Sequence, residues 1–271
     1  MESKNKQYLS CSFDNQPCFE IAQKLSLKYH TLKLRNELNE SLKNILMEYS
    51  IDIGETDDPR FVINMLINKY YPSETLIKSS FADHLIKHTR NQITLFEFPL
   101  GRSRVDMCKI NGSSIAYEIK TDLDSLLRLE KQISDYMDIF DETYVICSKN
   151  KLRKVLEVVP VECGIYTYNF SETDGISFKK VKSAIQSLKI DANKQLGILN
   201  KNELQDNFST TDQKMVLSHV SNIRINKVFK ICLKERYREK WAFLVENRNS
   251  IYSIDYQWFY KYNFDPTIIY E

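Results

Sequence analysis

Apolar and polar positions along this chain change period twice. Over residues 1–72 the apolar positions recur at helical spacing. Leu38, Leu42, Ile45 and Leu46 mark one helical face, and Asp58-Pro59 reads as a helix start, with Asp as cap and Pro in the first turn. Pro72-Ser73-Glu74 leads into a second predicted helix over 75–90. The period then falls to two. Residues 93–98 read as a strand, and 103–110 and 114–121 alternate on either side of Asn111-Gly112, a strong hairpin signal. Over 123–140 the helical period returns, with Leu126, Leu129, Ile133, Met137 and Phe140 as a buried stripe. A short strand at Thr143–Ser148, a helix over 150–158, a strand at Gly164–Tyr168 and a β-element near Phe178 follow, and from about 183 the chain reads as helical again.

This order predicts an α/β fold in which helices pack on a mixed central β-sheet. The expected divisions are an N-terminal helical segment over 1–72, an α/β core over 73–182 and a C-terminal helical segment over 183–271. Composition changes little. The chain has 271 residues, is 42% hydrophobic and carries a net charge of +2, which neither demands nor forbids nucleic acid. Cys11, Cys18, Cys108, Cys147, Cys163 and Cys232 form no CxxC pair, so zinc is not expected. The start of the chain has no apolar leader, and no run approaches the ~20 apolar residues that span a bilayer. The expectation is a reduced, cytoplasmic protein.

Candidate chemistry lies in the paired strands. Along 114–121, Ile115, Tyr117 and Ile119 point one way and Ala116, Glu118 and Lys120 the other. Along 103–110, Val105 and Met107 join the apolar set while Arg104, Asp106 and Cys108 oppose it. A two-residue Asn-Gly turn would set Asp106 and Glu118 on opposite faces. One added loop residue, with Gly112 in a bulge, pairs Lys109 with Ser113 and Asp106 with Ala116. The two acids are then diagonal neighbours on one face, with Cα atoms roughly 7–8 Å apart. Two such carboxylates can hold a hard cation such as Mg²⁺ or Mn²⁺, and Lys120 can orient a metal-bound water or stabilise developing charge. Asp124, Arg128, Gln132 and Tyr136 then recur every fourth residue as a polar stripe on the predicted helix.

The ordered set Asp106, Glu118-Ile119-Lys120, Gln132-x-x-x-Tyr136 resembles the PD-(D/E)XK nuclease superfamily, and its last pair is similar to the QxxxY motif of the RecB-like branch. The run from Arg102 to Ser148 also resembles a small bacterial branch with Arg-x-Asp before the hairpin and Asp-Ser-Leu-x-Arg-Leu-x-x-Gln after it. The likeness covers about residues 75–148. It implies a restriction-endonuclease-like core and a metal-dependent nuclease, a hydrolase of phosphodiester bonds with DNA favoured over RNA. Asp106, Glu118 and the Ile119 carbonyl would bind metal. Lys120 would be catalytic, and Gln132, Tyr136, Arg128 and Arg104 would support the site. Val105 stands where the family name has Pro. For the upstream ligand, Glu97 is the first choice and His84 the second. The other reading is a non-catalytic module of the same fold that binds nucleic acid or a protein partner.

Two further regions bear on partners. Arg224 to Lys240 carries seven Lys/Arg against two Glu, so Arg224, Lys227, Lys230 and Lys234 could follow a nucleic-acid backbone or form a solvated helix face. The aromatic run from Tyr252 to Phe264 could stack bases, pack into a core or join a homo-oligomer or partner.

Overall fold

The computed structural model describes residues 15–54, 56–101 and 103–270; Cys11, the chain start read for a leader, and Arg102 lie outside them. Two compact units divide the chain, one of residues 1–79, 170–176 and 247–271, the other of 80–169 and 177–246. Both cross the linear divisions expected at 72 and 182.

In the first unit, helices α1 (Asn15–Lys28), α2 (Arg35–Met47) and α3 (Pro59–Tyr70) enclose Leu25, Leu38, Leu42, Ile45, Leu46, Ile63 and Ile67. Asp58 caps α3 by accepting from the Phe61 amide at 2.8 Å, and Pro59 opens the helix. The end of the chain belongs to the same core. Buried Asp255 accepts from Tyr29 Oη at 2.7 Å, Thr31 Oγ1 at 2.6 Å and Tyr270 Oη at 2.9 Å, with Arg60 4.0 Å away. Tyr256, Phe259 and Tyr260 are buried, so much of the aromatic run serves packing.

Helix α4 (Glu74–His88) leads into the second unit, a six-stranded mixed sheet flanked by helices. Strands β1 (Ile93–Leu100), β2 (Ser103–Asn111) and β3 (Ser113–Lys120) are antiparallel. Helix α5 (Leu129–Met137) then crosses to β4 (Glu142–Ser148), and α6 (Leu152–Val158) crosses to β5 (Gly164–Ser171), making β3, β4 and β5 parallel. Strand β6 (Gly175–Lys182) adjoins β5, and the spatial order follows the chain order. Gly164 has to be glycine, since an added Cβ would lie 2.2 Å from the Tyr144 ring. Phe81 on α4 meets Tyr117 and Tyr166 on one sheet face. Helices α7 (Ala192–Ile198), α8 (Lys201–Phe208), α9 (Gln213–His219) and α10 (Asn222–Asn247) complete the unit, with Phe229 and Tyr237 of α10 packed on Phe140 and Phe98. Among the described residues no helix is long and apolar enough to cross a membrane.

Two sequence expectations need correction. The helix expected over 123–140 is confined to 129–137. Asp124 accepts from the Thr121 amide and hydroxyl at 2.7 and 2.8 Å, a local turn that competes with helix formation. The hairpin register is also displaced. Asn111 pairs with Ser113 across Gly112 alone (φ +75°), Cys108 with Ala116 and Met107 with Tyr117. The bulged register paired Lys109 with Ser113, two residues away. Period-two alternation fixes which face a residue occupies but is unchanged by a shift of two, so it could not separate these registers.

Candidate functional site

The observed register draws the acids into one row. Extended by one step beyond Met107 and Tyr117, it places Asp106 directly opposite Glu118, not diagonal to it. The same holds on β1, where Phe96 pairs with Met107 and Phe98 with Val105, leaving Glu97 opposite Asp106. Glu97 has the left-handed φ of +53°, uncommon for a residue with a Cβ and costly unless its surroundings hold it. Its carboxylate and that of Asp106 offer oxygens within 4.8 Å of each other.

At this row β2 and β3 part. Their ladder ends at Met107 and Tyr117, and the Ile119 amide donates instead to Asp106 Oδ2 at 2.7 Å. In an extended strand a residue's N–H and C=O point to the same side, so the Ile119 carbonyl also faces Asp106.

Glu118, 2% exposed, is held from the other side. Its Oε1 accepts from Lys120 Nζ at 2.7 Å and Gln132 Nε2 at 2.6 Å, and Oε2 accepts from Tyr136 Oη at 2.7 Å. Lys120 Nζ also lies 3.3 Å from Gln132 Oε1, and Tyr136 Oη 2.9 Å from the Arg104 carbonyl. The four-residue step from Gln132 to Tyr136 is what lets one short helix supply both contacts. Burial first, then the charges of Glu118 and Asp106, raise the Tyr136 phenol far above its ordinary range, which keeps it a donor.

Of the residues expected from sequence, Asp106, Glu118, Lys120, Gln132, Tyr136, Glu97 and the Ile119 carbonyl therefore meet. Arg104 joins them through Glu97, its Nε 2.5 Å from Oε2. Arg128 is exposed just before α5, without a cap bond. His84 stands apart, stacked between Phe81 and His88, and is in no three-residue ligand group among the described residues. Of the basic stretch, Arg224 and Lys227 are exposed and Lys234 is half-buried, but Lys230 Nζ bonds Asp141 Oδ2 at 3.0 Å. Lys230 is a structural cation, and sequence gave no sign of its partner.

The donor set suits a hard divalent cation. It consists of oxygens alone, and Asp106 in the middle strand is shared by its two neighbours. Three donors reach Glu118, which leaves one of the roughly four carboxylate lone-pair positions open.

Comparison with known proteins gives a family but no activity. Over 103 residues the chain is 30% identical to "Protein cII" of Enterobacteria phage P4, a match covering 38% of this chain and 39% of that protein. The chain thus matches well under half the length of that relative. Among solved structures, a Silicibacter pomeroyi protein of unknown function aligns with 45% of this chain and 77% of its own, at 19% identity and a TM-score of 0.34. The family model described as bacteriophage P4 protein cII matches residues 68–257, most of the chain, and the chain belongs to that family.

Proposed function

We propose that this chain is a metal-dependent nuclease with a restriction-endonuclease-like core, hydrolysing phosphodiester bonds, with DNA as substrate. One observation carries the reading: Lys120, Gln132 and Tyr136 converge on buried Glu118, while Asp106, opposite it on the neighbouring strand, takes the Ile119 amide. A solvated salt bridge on a strand would not recruit an amide and a phenol from the next helix.

Asp106, Glu118, the Ile119 carbonyl and Glu97 would hold Mg²⁺ or Mn²⁺. Such an ion, when bound, lowers the pKa of a coordinated water and offsets phosphate charge. Tyr136 and Gln132 fix the Glu118 carboxylate in one orientation. Lys120, itself held by Glu118 and Gln132, keeps a cation where charge grows on the phosphate oxygens. The Arg104 guanidinium, more exposed, offsets the charge of Glu97.

The test is cleavage of circular and linear DNA and RNA by wild type, Glu118→Ala and Lys120→Ala, with Mg²⁺ or Mn²⁺. DNA cutting is expected from wild type, with each variant at least about 100-fold slower. A Lys120→Ala protein that cuts as fast as wild type overturns the assignment. No cutting by wild type, with Mg²⁺ binding absent in titration calorimetry, leaves the non-catalytic module.

A further inference from the structure

Glu118 and Lys120 stand at the C-terminal end of β3, and the chain leaves that end as a loop over 121–128. Its two ends meet at the site, since Lys120 before it and Gln132 after it lie 3.3 Å apart. Internal bonds shape this loop. Asp124 accepts from Thr121, and the Leu127 amide donates to Ser125 Oγ at 3.3 Å. Further bonds tie it to the end of the neighbouring parallel strand, where the Ser148 hydroxyl donates to Asp122 and Lys151 Nζ donates to the Asp124 carbonyl. Yet this anchored loop leaves Leu127 96% exposed and Leu123 62% exposed. Single exposed leucines are ordinary. Two on one braced loop, which joins Lys120 to the helix of Gln132, hold apolar area out to solvent next to the site.

The turn that braces the loop is basic. Lys149, Lys151, Arg153 and Lys154 follow β4 with no acid before Glu157. Lys149, Arg153 and Lys154 are exposed, as are Arg128 and Lys131 beyond the loop. Arg153 pairs with exposed Glu157 and Lys131 with half-buried Asp135, and pairs at or near the surface are weak and exchange readily for phosphate. Of the acids of the loop, Asp124 is half-buried and bonded to Thr121, and Asp122, though exposed, accepts from the Ser148 hydroxyl. Cations and exposed leucines thus share one rim at the ends of β3 and β4.

We infer that this rim docks duplex DNA: Lys149, Arg153 and Lys154 take backbone phosphates, and Leu127, with Leu123, wedges between bases beside Glu118. Protein wedges of this kind unstack a base step, and the backbone contacts compensate. The identity of the ligand rests on the nuclease reading; the surface does not, because binding can be measured without cutting.

The experiment is fluorescence anisotropy of a labelled 30-mer duplex in EDTA at several salt concentrations, with 2-aminopurine placed along a second duplex to report unstacking. Wild type should bind, with affinity falling as salt rises. The triple variant Lys149→Glu, Arg153→Glu, Lys154→Glu should bind at least about tenfold more weakly and with a salt slope smaller by about two to three. Leu123→Ala with Leu127→Ala should keep most of the affinity and the slope but lose the 2-aminopurine rise. These side chains are exposed, so all variants should melt like wild type. No binding by wild type at low salt, or a triple variant with wild-type affinity and slope, overturns the docking surface. An unchanged 2-aminopurine signal in the leucine variant, or a concentration-dependent dimer that the variant abolishes, overturns the wedge. A protein that cuts DNA while the triple variant binds normally sinks this inference alone. One that binds through the rim but never cuts sinks the nuclease reading alone.

Discussion

Glu118 and Asp141 are carboxylates of the same unit, 2% and 1% exposed, and each has recruited a lysine. Around Asp141 the donors are the Ser114 amide at 2.7 Å, the Ser114 hydroxyl at 3.1 Å, Asn226 Nδ2 at 2.8 Å and Lys230 Nζ at 3.0 Å. They come from the start of β3 and from α10, so the carboxylate pins a helix to the sheet. Around Glu118 there are three donors, all side chains, from one strand and the helix after it. A buried charge is costly unless its hydrogen-bonding capacity is met. Asp141 has four donors, three on Oδ2 and one on Oδ1. Glu118 has three donors, two on Oε1 and one on Oε2, and on the proposed reading it is the acid that would share a cation with Asp106. Burial alone therefore does not distinguish the two acids; the number and origin of their donors do.

The sharpest way to break this comparison is to remove each carboxylate and watch the fold. Asp141→Ala strands Lys230 and the Ser114 amide and should cost about 3–5 kcal/mol. At about 2–4 °C per kcal/mol for a protein of this size, that lowers the calorimetric midpoint by roughly 10 °C. Glu118→Gln preserves shape and an acceptor for Lys120 or Tyr136, and should stay within about 1 kcal/mol of wild type. If the two variants melt alike, the distinction between the two acids fails.

A smaller effect sharpens the functional half. Tyr136→Phe removes the phenol donor on Glu118 Oε2 while leaving the ring in place. Loss of an outer contact of this kind should weaken Mg²⁺ binding about 10–100-fold, read by titration calorimetry. The melting midpoint should barely move. Unchanged metal affinity would make Tyr136 a core residue with a polar tip.

The two acids also differ in how far sequence could reach them. Every partner of Glu118 lies within 18 residues of it, and the spacing 118, 120, 132, 136 follows from strand and helix periods. The face shared by Asp106 and Glu118 was legible for the same reason. Their register was not, because alternation repeats every two residues and the hairpin slid by two. Nor was the left-handed backbone at Glu97, which no pattern signals in a non-glycine residue. Asp141 is the opposite case. Its partners Asn226 and Lys230 are 85 and 89 residues away, joined only by the packing of α10 on the sheet. Lys230 accordingly looked like one cation in a basic stretch. The Asp124 turn shows a third limit, where a side chain took backbone donors that an apolar stripe had assigned to a helix.

The smallest expected effect is the pH dependence of the structural acid. Burial pushes the Asp141 carboxyl up, but the hydrogen bonds from Asn226, Ser114 and Lys230 and the charge of Lys230 outweigh it and hold the group below its ordinary range. The unfolded chain therefore takes up a proton at Asp141 more readily than the folded one. Its contribution to stability is complete above the usual value of about 3.9 and is lost as pH falls through the lower folded value. Asp141→Asn removes that titration. In urea unfolding, the stability gap between wild type and Asp141→Asn should be constant near neutrality and should narrow on acidification below about pH 4. A gap that widens instead would mean that burial wins over the four donors, and that Asp141 is not the satisfied counterpart against which Glu118 stands out.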